Sequence, residues 1–109
     1  MLILFDHGTP RGLVRAFSGH TVVTAFEKGW DALKNGELLR TAEENAVGLL
    51  LTTDRRMQYQ QNLKGRKIAI VDLTGTTKWA RVRLCFQAII AAVNVATPGS
   101  YTEVDIPFR

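Results

Sequence analysis

Two aspartates in this chain each follow a run of apolar residues. Asp6 ends the stretch LILFD, and Asp54 ends the stretch GLLLTTD. A strand that is covered on both faces of a sheet reads as a continuous apolar run, so each carboxylate is predicted to stand at the end of a buried strand. Carboxylates that share a site bind hard divalent cations, above all Mg²⁺ or Mn²⁺. The pattern therefore predicts a cation site formed by these two aspartates.

Glu37 is a third candidate ligand for the cation. It lies in the sequence NGELL, where Asn35 can cap a helix and place the glutamate in the first turn, near the positive end of the helix dipole. Glu37 could equally serve only to support its own helix. Zinc is disfavoured as the metal, because His7, His20 and Cys85 lack the spacing of zinc ligands.

The elements that position these acids are predicted to alternate between strands and helices. The predicted strands are residues 2–5, 21–24, 49–51 and 67–71, with a last edge strand in YTEVDIPFR. The alternation favours an α/β fold, in which helices cover both faces of a mostly parallel sheet as a three-layer α/β/α sandwich. The functional crevice of such a sheet lies outside the carboxyl ends of its strands, where both aspartates are expected.

Four helices are predicted. Thr9 and Pro10 read as the N-cap and first residue of a helix through Phe17. AFEKGW is predicted as a short helix that Gly29 ends, and LKNGELLRTAEENA as a helix with Leu38, Leu39 and Ala42 on one side. The last helix is predicted from Trp79 to about Val95. Its buried stripe is predicted at Trp79, Phe86, Ile90 and Val93.

Composition restricts the class of protein. The 109 residues, 46% hydrophobic and 22% charged, predict one folded domain over residues 1–109, either alone or as a homodimer. A net charge of +4 suits a phosphate-rich or acidic partner. The single cysteine fits a reducing compartment. Without a signal-like N-terminus or an apolar run of about 20 residues, we expect a cytoplasmic protein with no membrane contact.

The stretch from Arg55 to Lys67 combines basic, amide and aromatic side chains. Such side chains can contact the phosphates of a single-stranded nucleic acid and stack on its bases, and the candidates are Arg55, Arg56, Tyr59, Gln60, Lys64 and Arg66. The alternative is a solvated loop followed by a polar helix face and a turn at Gly65.

Three stretches carry a resemblance to a known family. The runs LILFDHGTP, HTVVTAFEKGWDALKNGELLRTAEE and LLLTTDRRMQYQQNL resemble the short bacterial PIN-like proteins, distant relatives of the PIN-domain ribonucleases that act as toxins of toxin-antitoxin pairs. The resemblance implies a PIN-like α/β/α sandwich that binds Mg²⁺ or Mn²⁺ and cleaves RNA, with an antitoxin as a protein partner. Carried over by position, Asp6, Glu37 and Asp54 are the catalytic and metal-binding acids.

The chain departs from the family pattern at several positions. Asn35 and Arg56 stand where the family often has acids, and His7 follows Asp6 in place of a glutamate. Three functions remain open: a metal-dependent ribonuclease, a catalytically weakened module that binds nucleic acid or a protein, and a receiver domain phosphorylated at Asp54. The receiver is the weakest of these, because it requires paired acids after the first strand and His7 occupies the second position.

Overall fold

The structure is a computed structural model that describes residues 1–54 and 65–109. Within these residues, five strands form one sheet in which every neighbouring pair is parallel. The strands are β1 (Leu2–Phe5), β2 (Thr21–Thr24), β3 (Leu49–Thr52), β4 (Ala69–Gly75) and β5 (Tyr101–Ile106). Their order across the sheet is β2-β1-β3-β4-β5. The predicted α/β class with a parallel sheet is confirmed, including the edge strand at the C-terminal end.

The described helices are α1 (Asn35–Glu44), α2 (Trp79–Val82) and α3 (Phe86–Val95), with 3₁₀ helices at Arg11–Ala16 and Arg83–Cys85. No helix in the described part of the chain is long and apolar enough to cross a membrane. The helix predicted in AFEKGW is wrong, since residues 25–29 form turns. The Thr24 hydroxyl accepts a hydrogen bond of 3.0 Å from the N-H of Glu27, which stabilises the turn.

The predicted cap at Thr9 is also wrong. Pro10 is the N-cap of the first 3₁₀ helix and makes no side-chain capping bond. The Thr9 hydroxyl instead donates a hydrogen bond of 3.0 Å to the carbonyl of Leu51 in β3. Thr9 therefore ties the loop after β1 to the neighbouring strand.

Side chains on the strands alternate between two core clusters, because successive residues of a strand point to opposite faces of a sheet. The first core cluster joins strand residues to the first 3₁₀ helix, α2 and α3, and includes Ile3, Phe5, Leu13, Leu51, Val71, Val82, Ile89 and Val93. The second core cluster joins strand residues to α1, and includes Leu4, Leu38, Leu39, Ala42, Leu50 and Ile70. The apolar runs are explained by these two clusters.

The stripe predicted for the C-terminal helix is only partly present. Val93 is buried and Phe86 and Ile90 are half-buried, but Trp79 is 40% exposed. The 3₁₀ turn at Arg83–Cys85 separates α2 from α3. The ring of Trp79 still contacts the ring of Phe86, with centroids 5.7 Å apart, but it lies at the surface and not within the core.

Candidate functional site

Asp6 lies directly after β1, where the chain turns sharply. Its N-H donates to the carbonyl of Leu51 at 3.0 Å, which extends the pairing of β1 with β3 by one residue. The N-H of Thr9 then donates to the Asp6 carbonyl at 3.1 Å, and Gly8 has a φ of +89°, a conformation that favours glycine. The backbone thus fixes Asp6 at the carboxyl end of its strand.

The carboxylate of Asp6 receives two hydrogen bonds. Its Oδ1 accepts from the N-H of His7 at 2.7 Å, and its Oδ2 accepts from the hydroxyl of Thr52 at 2.9 Å. Burial raises the pKa of Asp6, and the negative charge of Asp54 raises it further. The two hydrogen bonds oppose this rise in pKa without reversing it.

Thr52 links Asp6 to Asp54. The Thr52 side chain is fully buried at the end of β3, and its hydroxyl oxygen accepts a hydrogen bond of 3.0 Å from the N-H of Asp54 while it donates to Asp6. The predicted convergence of the two acids is supported by this shared contact and by the effect of the Asp54 charge on the pKa of Asp6.

Asn35 contacts the site from α1. The N-cap of that helix is Lys34, with no side-chain capping bond, so the predicted capping role of Asn35 is wrong. The Asn35 amide instead donates a hydrogen bond of 3.2 Å to Oδ2 of Asp54. An amide at this position offers Asp54 a donor, whereas a carboxylate would repel it.

The two aspartates lie where the order of the strands changes direction. From β1 the chain goes to β2 on one side and later to β3 on the other, and β4 and β5 continue outward from β3. In open parallel sheets the loops that follow the two adjacent strands at such a point run to opposite sides of the sheet and leave a crevice for a ligand. Asp6 follows β1 and Asp54 follows β3, so both border this crevice.

Glu37 is not gathered with Asp6 and Asp54 into one metal-binding group. Residues 1–54 and 65–109 contain no group of three or more His, Cys, Asp or Glu side chains that could hold a metal ion. Glu37 lies in the first turn of α1 and is exposed. The structure therefore joins two of the three predicted acids, and a role for Glu37 as a ligand stays a prediction.

A cleft of about 230 Å³ opens beside Asp6. The loops after β1 and β2 form it, and its lining includes Asp6, His7, Arg11, Thr24 and Phe26. Phe26 is 75% exposed, so the cleft presents an aromatic surface as well as a carboxylate and a guanidinium. A ligand with both a phosphate and an aromatic ring suits this lining.

Asp72 is a buried acid next to the site that the sequence reading missed. It is 1% exposed in β4, pairs in register with Thr52, and accepts a hydrogen bond from the hydroxyl of Tyr101. The stretch IAIVD shows the same signal as the other two aspartates, an apolar run followed by a carboxylate. The predicted strand ended at Val71, whereas β4 continues to Gly75 and keeps Asp72 within the sheet.

The predicted nucleic-acid contacts are mostly outside the described residues, namely Arg55, Arg56, Tyr59, Gln60 and Lys64. Arg66 is described, and it lies before β4, at the amino ends of the parallel strands. Its guanidinium pairs with Oε1 of Glu43 at 2.5 Å, and Oε2 of Glu43 accepts from the N-H of Lys67 at 2.9 Å. Arg66 thus lies at the amino ends of the strands, whereas Asp6 and Asp54 lie at the carboxyl ends.

No family model matches the chain, and searches of curated proteins and solved structures found no match. The resemblance to the PIN-like proteins therefore rests on the quoted residues and stays a prediction. The geometry supplies the firmer basis for function: two linked aspartates at the carboxyl ends of adjacent parallel strands.

Proposed function

We propose that this protein is a ribonuclease of PIN type that uses Mg²⁺ or Mn²⁺ held by Asp6 and Asp54. The observation that carries the proposal is the shared hydroxyl of Thr52, which contacts the carboxylate of Asp6 and the backbone of Asp54. Two negative charges in one crevice repel each other, and the raised pKa of Asp6 reflects mainly its burial, with a smaller contribution from the charge of Asp54. A divalent cation between them would relieve both effects.

The donor set fits Mg²⁺ or Mn²⁺. Mg²⁺ keeps several of its waters and is commonly bound by one or two carboxylates together with substrate phosphates. A bound cation would supply charge neutralisation at the phosphoryl group and a more acidic water for in-line attack. The chain's own part is to hold the two carboxylates through Thr52 and Asn35 and to offer Arg11 to the phosphate across the cleft.

The proposed reaction is the hydrolysis of a phosphodiester bond of RNA by water. The oxygen of water forms a bond to phosphorus and gives up one proton to solvent, while the bond from phosphorus to the leaving oxygen breaks and that oxygen takes up one proton. Burial raises the pKa of Asp6, and a cation bound to its carboxylate would oppose that rise, so Asp6 acts in this proposal as a ligand and the proton passes to solvent.

A catalytically weakened module is the second candidate function. The observation in its favour is Asn35, which occupies a position that is often acidic in the family and is hydrogen-bonded to Asp54. A site with fewer carboxylates has less negative charge with which to hold a divalent ion. In this alternative the chain binds RNA or a protein partner, such as an antitoxin, without cleaving the RNA.

Thermal unfolding with and without Mn²⁺ tests the proposal, together with an RNA cleavage assay. We expect Mn²⁺ at about millimolar concentration to raise the Tm of the wild type, because an ion that binds only the folded state stabilises it. Asp54→Asn should remove both the stabilisation and the cleavage, while its amide oxygen can still accept from Asn35.

Glu37→Gln is the matched control, because it makes the same change from carboxylate to amide at an exposed position on α1. It should keep the effect of Mn²⁺ if two aspartates suffice. Loss of that effect in Glu37→Gln as well would show that Glu37 is a third ligand. If Mn²⁺ leaves the Tm of the wild type unchanged, the metallonuclease proposal fails and the binding module is kept.

A further inference from the structure

Acidic residues are absent from two long stretches of the chain. Residues 7–26 and 73–102 contain no aspartate or glutamate. The same stretches contain a set of exposed cations, namely Arg11, Arg15, Lys78, Arg81 and Arg83. A stretch of this length that carries only positive charge predicts a surface with a positive potential, provided that the two stretches lie together.

The fold brings these two stretches together on one face of the sheet. Leu13 of the first stretch and Val82 and Ile89 of the second belong to the same core cluster. The opposite face is covered by α1, which carries Glu37, Glu43 and Glu44. The helical segments over the first core cluster therefore carry exposed cations and no acidic residue. The helix over the second core cluster carries three glutamates.

A groove of about 680 Å³ lies on the cationic face, which we call the Trp79 groove. It is lined by Pro10, Arg11, Gly12, Val14, Arg15 and Trp79. The groove thus combines two guanidinium groups with an aromatic ring and with apolar surface from Val14, which is 45% exposed.

The indole of Trp79 is held in place although it is 40% exposed. Its ring lies so close to Gly12 that a Cβ at that position would be 2.4 Å from Cη2. The ring of Phe86 packs against it with centroids 5.7 Å apart and an interplanar angle of 58°. A fixed, exposed aromatic ring can stack on a base with little loss of side-chain entropy.

We infer that the Trp79 groove binds single-stranded RNA, with a base stacked on Trp79 and phosphates paired with Arg11 and Arg15. A single-stranded nucleic acid has a planar base and a negative phosphate in every nucleotide, which complements the aromatic ring and the two guanidinium groups. An acidic peptide supplies negative charge without a planar ring at each residue. Arg11 also lines the cleft beside Asp6, so one strand can contact the groove and reach Asp6. The choice of RNA rests on the proposed function, which this inference deepens by naming the surface that holds the strand.

Binding measured in EDTA separates this inference from the proposed catalysis. The probe is a fluorescein-labelled oligouridine of about 12 nucleotides, followed by fluorescence anisotropy at several salt concentrations. We expect the wild type to bind, and Arg15→Glu and Trp79→Ala each to lose roughly tenfold in affinity. Trp79→Phe should keep most of the affinity, because the phenyl ring still stacks, and it covers the case in which Trp79→Ala fails to fold.

Arg40→Glu is the matched control for charge, since Arg40 is exposed on α1 over the other core cluster. It makes the same charge reversal as Arg15→Glu and should leave affinity within about twofold, because its charge lies on the other face. An equal loss in both variants would overturn the inference in favour of a general effect of net charge. Failure of the wild type to bind the oligouridine would also overturn it.

The two proposals fail in different ways. Asp54→Asn should bind the oligouridine in EDTA at least as tightly as the wild type, because Asp54 does not line the groove and its negative charge does not favour a phosphate. Binding without any Mn²⁺-dependent cleavage would contradict the nuclease and leave the Trp79 groove in place. Cleavage that is insensitive to Arg15→Glu and Trp79→Ala would contradict the groove and leave the nuclease in place.

Discussion

The hydroxyl of Thr52 donates a hydrogen bond of 2.9 Å to Oδ2 of Asp6. The same oxygen accepts from the N-H of Asp54 at 3.0 Å. Thr52 is fully buried, so neither contact is exchanged for a contact with bulk water. One side chain thus positions both aspartates of the candidate site, and it does so from the last residue of a buried strand.

Replacing Thr52 with valine keeps the shape of the side chain and removes only this hydroxyl. We expect a loss of about 1–3 kcal/mol in the free energy of unfolding, since a partly buried carboxylate loses a donor and a backbone N-H loses its acceptor. The pKa of Asp6 should rise further, because the Thr52 hydrogen bond lowers it. Urea unfolding at neutral pH measures the loss, and Thr52→Ser, which keeps the hydroxyl, should recover most of it. Equal stability of the valine and serine variants would show that the hydrogen bonds of the hydroxyl do not contribute to the free energy of unfolding.

Asp6→Asn is predicted to change the pH dependence of stability. Burial, with a smaller contribution from Asp54, raises the pKa of Asp6 above its ordinary value of 3.8, so the folded protein holds this proton more tightly than the unfolded chain. Ionisation of Asp6 therefore costs stability as pH rises from about 3.8 through the raised pKa. The asparagine variant lacks that cost, so its stability relative to wild type should improve as pH rises from about 3.8 through the raised pKa. Unfolding curves across this range test the sign, and a constant difference would contradict the raised pKa.

Glu43→Gln should show the opposite sign. Burial acts to raise the pKa of Glu43, but hydrogen bonds from the N-H of Lys67 and from Arg66 outweigh it and lower the pKa below the ordinary value of 4.5. The resulting stability is present above about pH 4.5 and is lost as pH falls through the lowered pKa. We expect the glutamine variant to lose about 1 kcal/mol at neutral pH and little in acid. Glu44→Gln, at the exposed next residue of α1, controls for helix propensity, and a loss that is the same at all pH values would reject the ionic contribution.

Gly12→Ala should displace the ring of Trp79. The backbone of Gly12 is not in the left-handed region, so alanine is tolerated there, but its Cβ would lie 2.4 Å from Cη2 of the indole. We expect a cost of about 1–3 kcal/mol from this overpacking, together with weaker binding of oligouridine. The double variant Gly12→Ala, Trp79→Phe should recover part of the stability, because the smaller ring leaves room for the methyl group. Additive losses in the double variant would mean that the two side chains do not compete for the same space.

The amino-acid sequence by itself determined the strands and the positions of two aspartates relative to them. A strand covered on both faces is apolar at every residue, so the runs at 2–5 and 49–51 were readable within one residue of β1 and β3. The edge strand β2 was readable at 21–24 from its β-branched residues. The bounds of β4 were less clear. Asp72 interrupts its apolar run, and the strand continues because it pairs with β5 as far as Gly75.

Tertiary structure decided which groups meet at the site. The order β2-β1-β3-β4-β5 places β1 beside β3, and this adjacency gives Thr52 its contact with Asp6 across 46 positions of the chain. Local sequence assigned Asn35 to a helix cap and Trp79 to a buried stripe, and both assignments were wrong for the same physical reason. A side chain makes the best contact available in three dimensions, and for these two residues that contact is made with a distant part of the chain, at Asp54 and at Gly12.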